Sequence, residues 1–510
     1  MNIKTAKMHI ENAMKAYFAK DEFGRYEIPI EEQRPVFLIG PPGVGKTAIM
    51  QQIADKLGVG LVSYSMNHHT RQSALGLPYI TEKVYDGKTF SITEYTMSEI
   101  IASVYEMMEA TGVKEGILFL DEINCVSETL APAMLQFLQY KTFGTHKVPD
   151  GWIVVTAGNP PEYNNSVREF DIATADRLKP MEVQPDYTAW KEYACEKNVH
   201  PAILTYLEIK HEHFYSIETT VDGKRFVTAR GWSDLSRMLL SCEKHGLPVD
   251  TSLIGQYLQN RKIAAEFYNY YSLWIKYRKD YKIDAILTGN VPPEILHRAA
   301  GGKFDERLAL LGLIFDALLK QIHAVAKQES LREGLLVTLK EIMKCYQQPN
   351  ADPIKELKAV MDIIEGKLRE EAKYATRNKE TELIRRQILS ILQQHHAAMV
   401  ADPPYSVKGA FAILKQDFDE RTEAFKAQIQ ETISQINNAY TFCETAFGKG
   451  REIMILTTEL TIAKTASQFL ARYGKDSRYF TYNSDLLVHG RRSEILHQLE
   501  ELDEIGRAHV

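Results

Sequence analysis

Short apolar runs alternate with helix-forming segments in the first third of the chain. The runs are apolar at nearly every position, as in strands buried on both faces of a parallel sheet. They are VFLIG at Val36–Gly40, LVSYS at Leu61–Ser65, GILFL at Gly116–Leu120 and WIVVTA at Trp152–Ala157. Met181–Val183 is a candidate fifth strand, and segments of helical period such as Ala48–Leu57 and Met97–Ala110 separate the runs. This alternation predicts βαβ units and therefore an α/β fold with a parallel sheet covered by helices.

Helical periodicity replaces the strand pattern after about Pro185. Tyr187–Lys210 and Gly231–His245 each have the apolar spacing of an amphipathic helix. Between them, the Thr- and Val-containing stretch Thr219–Val227 includes Asp222-Gly223, a favoured pair for a two-residue turn. This region is therefore predicted to consist of helices and one small hairpin.

The second half of the chain is predicted to be helical and to contain two proline-rich linkers, Gln347–Pro353 and Ala401–Gly409. The charged segments 354–400 and 410–446 keep a helical period over long distances, which predicts helical hairpins or coiled coils. In Leu253–Lys282, aromatic residues recur every three or four positions and so share one helical face. This spacing favours a buried stripe over a platform for nucleic-acid bases; the stripe comprises Phe267, Tyr270, Trp274, Tyr277 and Tyr281.

The composition is that of a globular protein with little net charge. The 510 residues include 61 Lys and Arg against 67 Asp and Glu, a net charge of −6. This balance argues against a dedicated nucleic-acid binder or a protein of anionic membrane surfaces, because those proteins usually have strongly basic surfaces. At about 150 residues per domain, the length predicts about three domains.

Cysteine use and hydropathy predict a cytoplasmic protein. The five cysteines are widely spread without a C-x-x-C pair, which argues against a disulfide framework and favours a reducing compartment. Met1–Lys20 mixes charged with apolar residues and lacks a signal-peptide core. The longest apolar stretch, Leu308–Phe315, is too short to span a bilayer. We therefore expect a soluble protein without membrane contact.

The strongest chemical motif is a glycine-rich loop between the first strand and the following helix. It fits G-x-x-x-x-G-K-[ST] at every fixed position and consists of Gly40, Pro41, Pro42, Gly43, Val44, Gly45, Lys46 and Thr47. Small residues let backbone N–H groups wrap a phosphate, and the next helix points its positive dipole end at the same anion. Lys46 is expected to contact the β- and γ-phosphates, and the Thr47 hydroxyl to bind Mg²⁺.

Two adjacent carboxylates, Asp121 and Glu122, follow the strand Gly116–Leu120. The carboxyl ends of parallel strands form the ligand-binding edge of open α/β sheets. We expect Asp121 to hold Mg²⁺, and Glu122 to position and deprotonate the attacking water. An acidic strand end is common by itself, so this assignment depends on the phosphate loop.

Three further polar residues follow strands or begin a helix. Asn159, in AGNP after Trp152–Ala157, is a candidate for orienting the lytic water, although Asn-Pro is also a common turn. Arg177, in Asp176-Arg177-Leu178, and Arg230, in the first turn of a helix capped by Thr228, are candidates for stabilising charge on the γ-phosphate.

In order and spacing, these motifs resemble the AAA+ ATPases and, among them, the MoxR-like family, which is grouped with dynein-related AAA domains. The resemblance covers about residues 30–245. The segments that carry it are GPPGVGKT at 40–47, Gly76-Leu77-Pro78, LDEIN at 120–124, AGNP at 157–160, DRL at 176–178 and TARG at 228–231. The family tends to have Asp-Arg-Phe and Ser-Pro-Arg at the last two places.

The resemblance implies an ATP-hydrolysing P-loop NTPase core with a helical lid and a large, mostly helical C-terminal region. ATP and Mg²⁺ would bind the core, with Glu122 and Asn159 acting on water. Arg230 would act in cis and Arg177 in trans from a neighbouring subunit, with Arg168 as its rival. This arrangement implies a homo-oligomer, and the family suggests a hexameric ring.

The family also implies chaperone-like remodelling or maturation of protein partners, often proteins with a von Willebrand A domain. Its members carry an inserted hairpin that faces the pore of the ring, which corresponds here to Tyr79–Glu94 with Asp86-Gly87 as the turn; the alternative is an ordinary surface hairpin. Two alternatives remain open: a nucleotide-gated assembly scaffold with little turnover, and a DNA-translocating AAA+ protein, which the low net charge opposes.

These observations predict five segments along the chain. The last of them, Glu504–Val510, resembles translated sequencing-adapter DNA, and we expect it to be foreign to the natural protein; the alternative is an ordinary C-terminal tail. The predicted segments are an α/β nucleotide-binding core (1–185), a helical lid (186–246), a helical domain (247–346), a helical or coiled-coil C-terminal region (354–503) and a non-native tail (504–510).

Overall fold

The computed structural model describes residues 1–68, 72, 74, 76–163, 167, 170, 172–220, 223–349, 351–371, 379–404 and 406–484. Arg168, Asp222 and the tail Glu504–Val510, which the sequence analysis singled out, lie outside the described residues. The chain forms two compact units. The first comprises Met1–Trp190, Glu212–Leu235 and Gln256–Asn260; the second comprises Lys191–His211, Ser236–Gly255 and the chain from Arg261 onward.

The strands are β1 (Val36–Ile39), β2 (Gly60–Ser65), β3 (Pro78–Tyr85), β4 (Lys88–Tyr95), β5 (Gly116–Asp121), β6 (Thr142–Phe143), β7 (His146–Lys147), β8 (Trp152–Gly158), β9 (Lys179–Glu182), β10 (Ser216–Thr220) and β11 (Gly223–Val227). Five of them form a parallel sheet in the order β2-β5-β8-β1-β9. The predicted α/β fold with a parallel sheet is therefore confirmed, and so is the fifth strand.

The sheet is buried on both faces, which explains why its strands are apolar at consecutive positions. In β5, Leu118 and Leu120 belong to the core on one face, whereas Ile117 and Phe119 belong to the core on the other. All four side chains are fully buried. Because successive strand residues point to opposite faces, only a strand covered on both sides needs an apolar residue at every position.

The helices are α1 (Ile3–Tyr17), α2 (Lys46–Leu57), α3 (Glu99–Thr111), α4 (Ala131–Tyr140), α5 (Ile172–Ala175), α6 (Tyr187–Glu196), α7 (Pro201–Ile209), α8 (Ala229–His245), α9 (Thr251–Tyr257), α10 (Arg261–Asp280), α11 (Ile283–Leu287), α12 (Pro293–Gly301), α13 (Phe304–Tyr346), α14 (Pro353–Glu371), α15 (Lys379–Ala401), α16 (Val407–Phe447), α17 (Arg451–Ile462) and α18 (Lys464–Tyr473). The predicted predominance of helices after the sheet is confirmed.

The prediction of one helix over Tyr187–Lys210 is wrong, because two helices, α6 and α7, occupy this segment. Asn198 between them adopts φ 52°, a left-handed conformation that ends a right-handed helix. Pro201 then begins α7, where its missing N–H costs nothing, and the His200 side chain accepts a hydrogen bond from the Ala202 N–H. Apolar periodicity continues across this break, so it did not reveal the interruption.

Two predicted hairpins are confirmed. Strands β3 and β4 pair antiparallel with Tyr85 opposite Lys88, and the turn residues Asp86 and Gly87 both have positive φ. A two-residue turn with two positive φ angles matches the twist of the flanking strands. Strands β10 and β11 also pair antiparallel, and they extend the predicted segment Thr219–Val227 back to Ser216.

The second unit is built of long helices. Apolar side chains of α13, α14, α15 and α16 form one core, which includes Leu335, Leu357, Leu392 and Leu414. The aromatic stripe of α10 points partly into the interior, with Phe267 and Trp274 buried and Tyr270 and Tyr277 partly buried. The linkers predicted at Gln347–Pro353 and Ala401–Gly409 lie at the breaks between helices.

Among the described residues, one helix, α13, has a window long and apolar enough to cross a membrane, and 67% of that window is buried inside the structure. The sequence analysis expected no segment long enough to span a bilayer because it counted only Leu308–Phe315. Apolar residues continue in the same helix beyond Asp316, so the apolar segment is longer than that. Burial of this extent is typical of the core helix of a globular protein.

Candidate nucleotide-binding site

The phosphate loop joins β1 to α2 at the carboxyl edge of the sheet. Gly43 has φ 79°, and a Cβ atom built on it would lie 3.0 Å from the Cβ of Thr228. Any other residue would therefore be strained both in its backbone and against its neighbour. Glycine therefore lets the loop pass close to Thr228 before α2 begins.

Lys46 lies at the centre of the site and is only 8% exposed. Its Nζ donates hydrogen bonds to the carbonyl oxygens of Gly40 at 2.7 Å and Pro41 at 3.0 Å, and to Oδ1 of Asn159 at 2.9 Å. Burial lowers the pKa of Lys46 to about 8, although the nearby Asp121 and Glu122 carboxylates partly offset this effect. The structure thus brings the predicted phosphate-binding lysine and Asn159 together.

Thr47 and Asp121 place two oxygen ligands side by side. The Thr47 hydroxyl donates to Oδ2 of Asp121 at 2.7 Å, and hydroxyl and carboxylate oxygens are ligands that Mg²⁺ prefers. Within the described part of the chain, no group of three or more His, Cys, Asp and Glu side chains could hold a metal ion. The Thr47–Asp121 pair fits Mg²⁺, an ion that proteins usually bind through one or two side-chain oxygens together with substrate phosphates and water.

Glu122 turns away from the end of β5 with φ 58°. Its Oε2 accepts hydrogen bonds from Oγ of Ser65 at 3.0 Å and from Nδ2 of Asn67. Sequence analysis missed Ser65 and Asn67, which end and follow β2. The register pairs Ser65 with Asp121 and so brings these residues beside the carboxylates. Only the adjacency of β2 and β5 could have identified them.

Asn159 follows β8, the strand between β5 and β1, and therefore lies between the acidic pair and the phosphate loop. Its Oδ1 accepts from Lys46, and its carbonyl oxygen accepts from Nδ2 of Asn124 at 2.8 Å. The side-chain amide therefore faces the phosphate-binding lysine and is not merely part of an Asn-Pro turn.

Arg230 lies beside the phosphate loop. A Cβ on Gly43 would lie 3.5 Å from the Cβ of Arg230, and the positive charge of Arg230 contributes to the lowered pKa of Lys46. The predicted N-cap is present as well, since Oγ1 of Thr228 accepts from the Gly231 N–H at 3.2 Å. The loop, Lys46 and Arg230 thus form one cationic cluster suited to a polyanion.

Arg177 occupies a different position from Arg230. It is exposed and lines a pocket of about 310 Å³ with residues of α4 and with Thr174 and Leu178. Among the described residues, this pocket shares no lining residue with the phosphate loop.

Tyr215 is a third residue that sequence analysis missed. Its hydroxyl donates to the carbonyl oxygen of Pro42 at 3.0 Å, and its ring packs partly buried against the core beneath the sheet. Together with the bonds from Lys46, this contact means that side chains hold the carbonyls of Gly40, Pro41 and Pro42. No local motif marks Tyr215, because it is far from the loop in sequence.

Residues 35–178 match the AAA domain family, dynein-related subfamily. The matched segment begins just before β1 and includes the phosphate loop, Asp121, Glu122, Asn159 and Arg177. No curated protein matches the chain. With the five-stranded parallel sheet, the family match supports an AAA+ ATPase built on a P-loop nucleotide-binding core, a class that commonly forms oligomeric rings.

Proposed function

We propose that this protein is a ring-forming ATPase, resembling the MoxR-like family, that uses ATP hydrolysis for chaperone-like remodelling or maturation of protein partners. Two hydrogen bonds carry the proposal, that of Lys46 with Asn159 and that of Thr47 with Asp121, at the edge of the sheet where Glu122 follows β5. A phosphate-binding lysine, a metal-binding oxygen pair and a carboxylate base are the groups that phosphoryl transfer to water requires.

The residues divide the chemistry among them. Lys46 exchanges its carbonyl acceptors for phosphate oxygens and supplies charge. Thr47 and Asp121 would hold Mg²⁺, which when bound neutralises charge on the β- and γ-phosphates. Glu122 accepts the proton of the attacking water, and Asn159 orients that water. Arg230, beside Lys46, adds positive charge from the same subunit.

Arg177 is proposed to complete the site of a neighbouring subunit. Its exposure at the surface supports contact with a neighbouring subunit. Such a division of labour requires a homo-oligomer, for which the resemblance to AAA+ proteins suggests a hexameric ring. The client is proposed to be a protein, with a von Willebrand A domain as the first candidate.

A trap variant tests the proposal. Glu122→Gln removes the base but keeps the size and the hydrogen-bonding capacity of the side chain. We expect ATP binding to persist while the turnover rate falls on the order of 10²- to 10⁴-fold. Co-purification in ATP should then capture a protein client on a ring of defined mass.

Other outcomes would contradict parts of the proposal. An unaltered turnover rate in Glu122→Gln would exclude Glu122 as the base. Full client activity without turnover would indicate an assembly scaffold. ATPase stimulation by DNA that weakens steeply with salt would indicate a translocase.

A further inference from the structure

Asn124 lies just past the acidic pair, in a short 3₁₀ turn over Ile123–Cys125. It is 4% exposed, although Asn is a residue type found mostly at the surface. A buried amide is costly unless its donors and acceptors find partners. The hydrogen-bond partners of the Asn124 amide therefore explain how it can be buried.

Its side-chain amide bridges the ends of two neighbouring strands. Nδ2 donates to the carbonyl oxygen of Asn159 at 2.8 Å. The paired register of β5 and β8 runs only to Leu120 opposite Thr156. Beyond that pair, Asn124 supplies a cross-strand hydrogen bond at the point where the catalytic side chains emerge.

The packing around this bond is tight. A Cβ atom built on Gly158 would lie 2.4 Å from Oδ1 of Asn124. The amide of Asn124 thus occupies the space that a side chain at position 158 would need. The Asn124 amide therefore packs directly against the backbone at Gly158.

We propose that Asn124 is a positioning residue that holds Asn159 in register with the Asp121–Glu122 pair, and that its contribution is to turnover rather than to nucleotide binding. The inference rests on the ATPase activity proposed above. Asn159 contacts Lys46 through its side chain and Asn124 through its main chain, so the two bonds set the direction of its amide. Glu122 lies two residues before Asn124. The hydrogen bond from Asn124 to the Asn159 carbonyl therefore keeps the proposed base, Glu122, and the water-orienting amide of Asn159 at a constant separation.

Removal of the hydrogen bond between Asn124 and Asn159 should reduce the rate of ATP hydrolysis and leave the affinity for ATP nearly unchanged. A misplacement of about 1 Å in a catalytic arrangement can cost about 100-fold in rate. For Asn124→Ala we expect kcat to fall about 10- to 100-fold, while the Kd for ATP, measured by titration, stays within about twofold. Asn438→Ala is the matched control, because Nδ2 of Asn438 also donates to a carbonyl, that of Leu287, at 2.8 Å in the helical unit. It should leave kcat unchanged.

A size-swap variant separates alignment from packing. Gly158→Ala alone should lower Tm, because the new methyl group clashes with Asn124. Asn124→Ala combined with Gly158→Ala should recover much of that Tm, because the methyl group then fills the vacated space. We expect kcat of this double variant to remain low, since the hydrogen bond to Asn159 is still missing. Recovery of wild-type kcat would overturn the proposal in favour of simple space filling.

A double-mutant cycle shows whether Asn124 acts through Asn159. In the Asn159→Ala background the amide that Asn124 positions is absent, so Asn124→Ala should lower kcat by less than about twofold more. Fully additive losses would overturn the proposal, and so would wild-type kcat in Asn124→Ala. If the wild-type protein hydrolyses no ATP, the proposed function fails and the inference with it; if only the variants behave as wild type, the inference alone fails.

Discussion

At the scale of single residues, the site is organised around one buried cation, Lys46, and its hydrogen-bond acceptors. Lys46 is shielded from water, and hydrogen bonds to three protein oxygen atoms replace those that water would form. Burial still disfavours its charged form, so its pKa falls from the usual 10.5 to about 8. A triphosphate would reverse this effect, because opposite charge favours the protonated amine.

The affinity for ATP should therefore depend on pH. Below about pH 8, Lys46 is already protonated and binding needs no proton uptake. Above about pH 8, the free site has lost the proton that the bound state regains, so affinity should weaken by up to about tenfold per pH unit. Titration calorimetry at pH 7.5 and 9.5, in buffers of different ionisation enthalpy, measures both the affinity and the proton uptake.

Lys46→Met is the control for this pH dependence. It should bind ATP far more weakly and with an affinity that is nearly constant over the same pH range. A wild-type affinity that is equally flat, without proton uptake, would contradict a lowered pKa of Lys46.

At the scale of elements, the phosphate loop depends on a segment distant in sequence. Pro41 and Pro42 lack N–H groups, so they can present only carbonyl oxygens to an anion, and these must point away from it. Lys46 holds the carbonyl of Pro41, and Tyr215, just before β10, holds that of Pro42. Tyr215 therefore helps to hold in place a loop carbonyl that would repel a phosphate.

Tyr215→Phe should weaken the binding of ATP and ADP alike. Loss of one hydrogen bond of about 0.5–1.5 kcal/mol corresponds to a roughly 2- to 10-fold rise in Kd. The value of kcat at saturation should not change, because this bond contributes equally to the ground state and the transition state. Fluorescence titration and steady-state kinetics measure the two quantities.

Tyr64→Phe is a matched control for Tyr215→Phe. It also removes a hydroxyl that forms a hydrogen bond, in this case with Ser103 at 2.6 Å on α3. It should leave both nucleotide affinities unchanged. Equal losses in the two variants would show that the effect is general destabilisation rather than loss of a loop contact.

The β3–β4 hairpin is an element whose removal should cost little stability. Its apolar side chains are largely exposed, with Ile80 at 78% and Val84 at 67%, so they contribute little hydrophobic free energy. At its base, the backbone N–H of Thr96 donates to the carbonyl of Leu77 at 2.9 Å. Replacing Tyr79–Glu94 by two glycines should leave Tm within a few degrees and preserve ATP binding.

Client-dependent activity should be lost in the same deletion, if the hairpin faces the pore as the resemblance implies. Calorimetry and a client-stimulated ATPase assay separate the two results. A large fall in Tm would mean that the hairpin belongs to the core.

At the scale of the whole molecule, the proposed trans action of Arg177 predicts complementation between subunits. Arg177→Ala and Glu122→Gln should each be inactive alone, with Arg177→Ala reduced on the order of 10³-fold. In mixed rings, a Glu122→Gln subunit can supply Arg177 to a neighbour that retains Glu122. Activity should therefore reappear on mixing and vary with the mixing ratio.

Two other outcomes would assign the arginines differently. Wild-type ATPase activity in Arg177→Ala would favour Arg168 as the arginine that acts in trans. Failure to recover activity in rings shown by mass measurement to be mixed would argue that Arg177 acts within its own subunit.

Much of the core could be predicted from the sequence, because the information is local. The phosphate loop is a contiguous segment whose glycines, lysine and threonine act within a few residues of one another. The strands were recognisable because burial on both faces requires an apolar residue at every position. The α6–α7 break was missed because one left-handed residue and one proline interrupt a helix without interrupting its apolar period.

By itself, the sequence determined the identity and order of the chemical groups: the loop at 40–47, the acidic pair at 121–122, and Asn159 after β8. Only the tertiary structure decided which groups contact one another. Asn67 and Glu122 are 55 residues apart, Asn124 and Asn159 are 35 apart, and Tyr215 and Pro42 are 173 apart. Those contacts depend on strand order and register, which are properties of the packed sheet and leave no mark on any short segment of the chain.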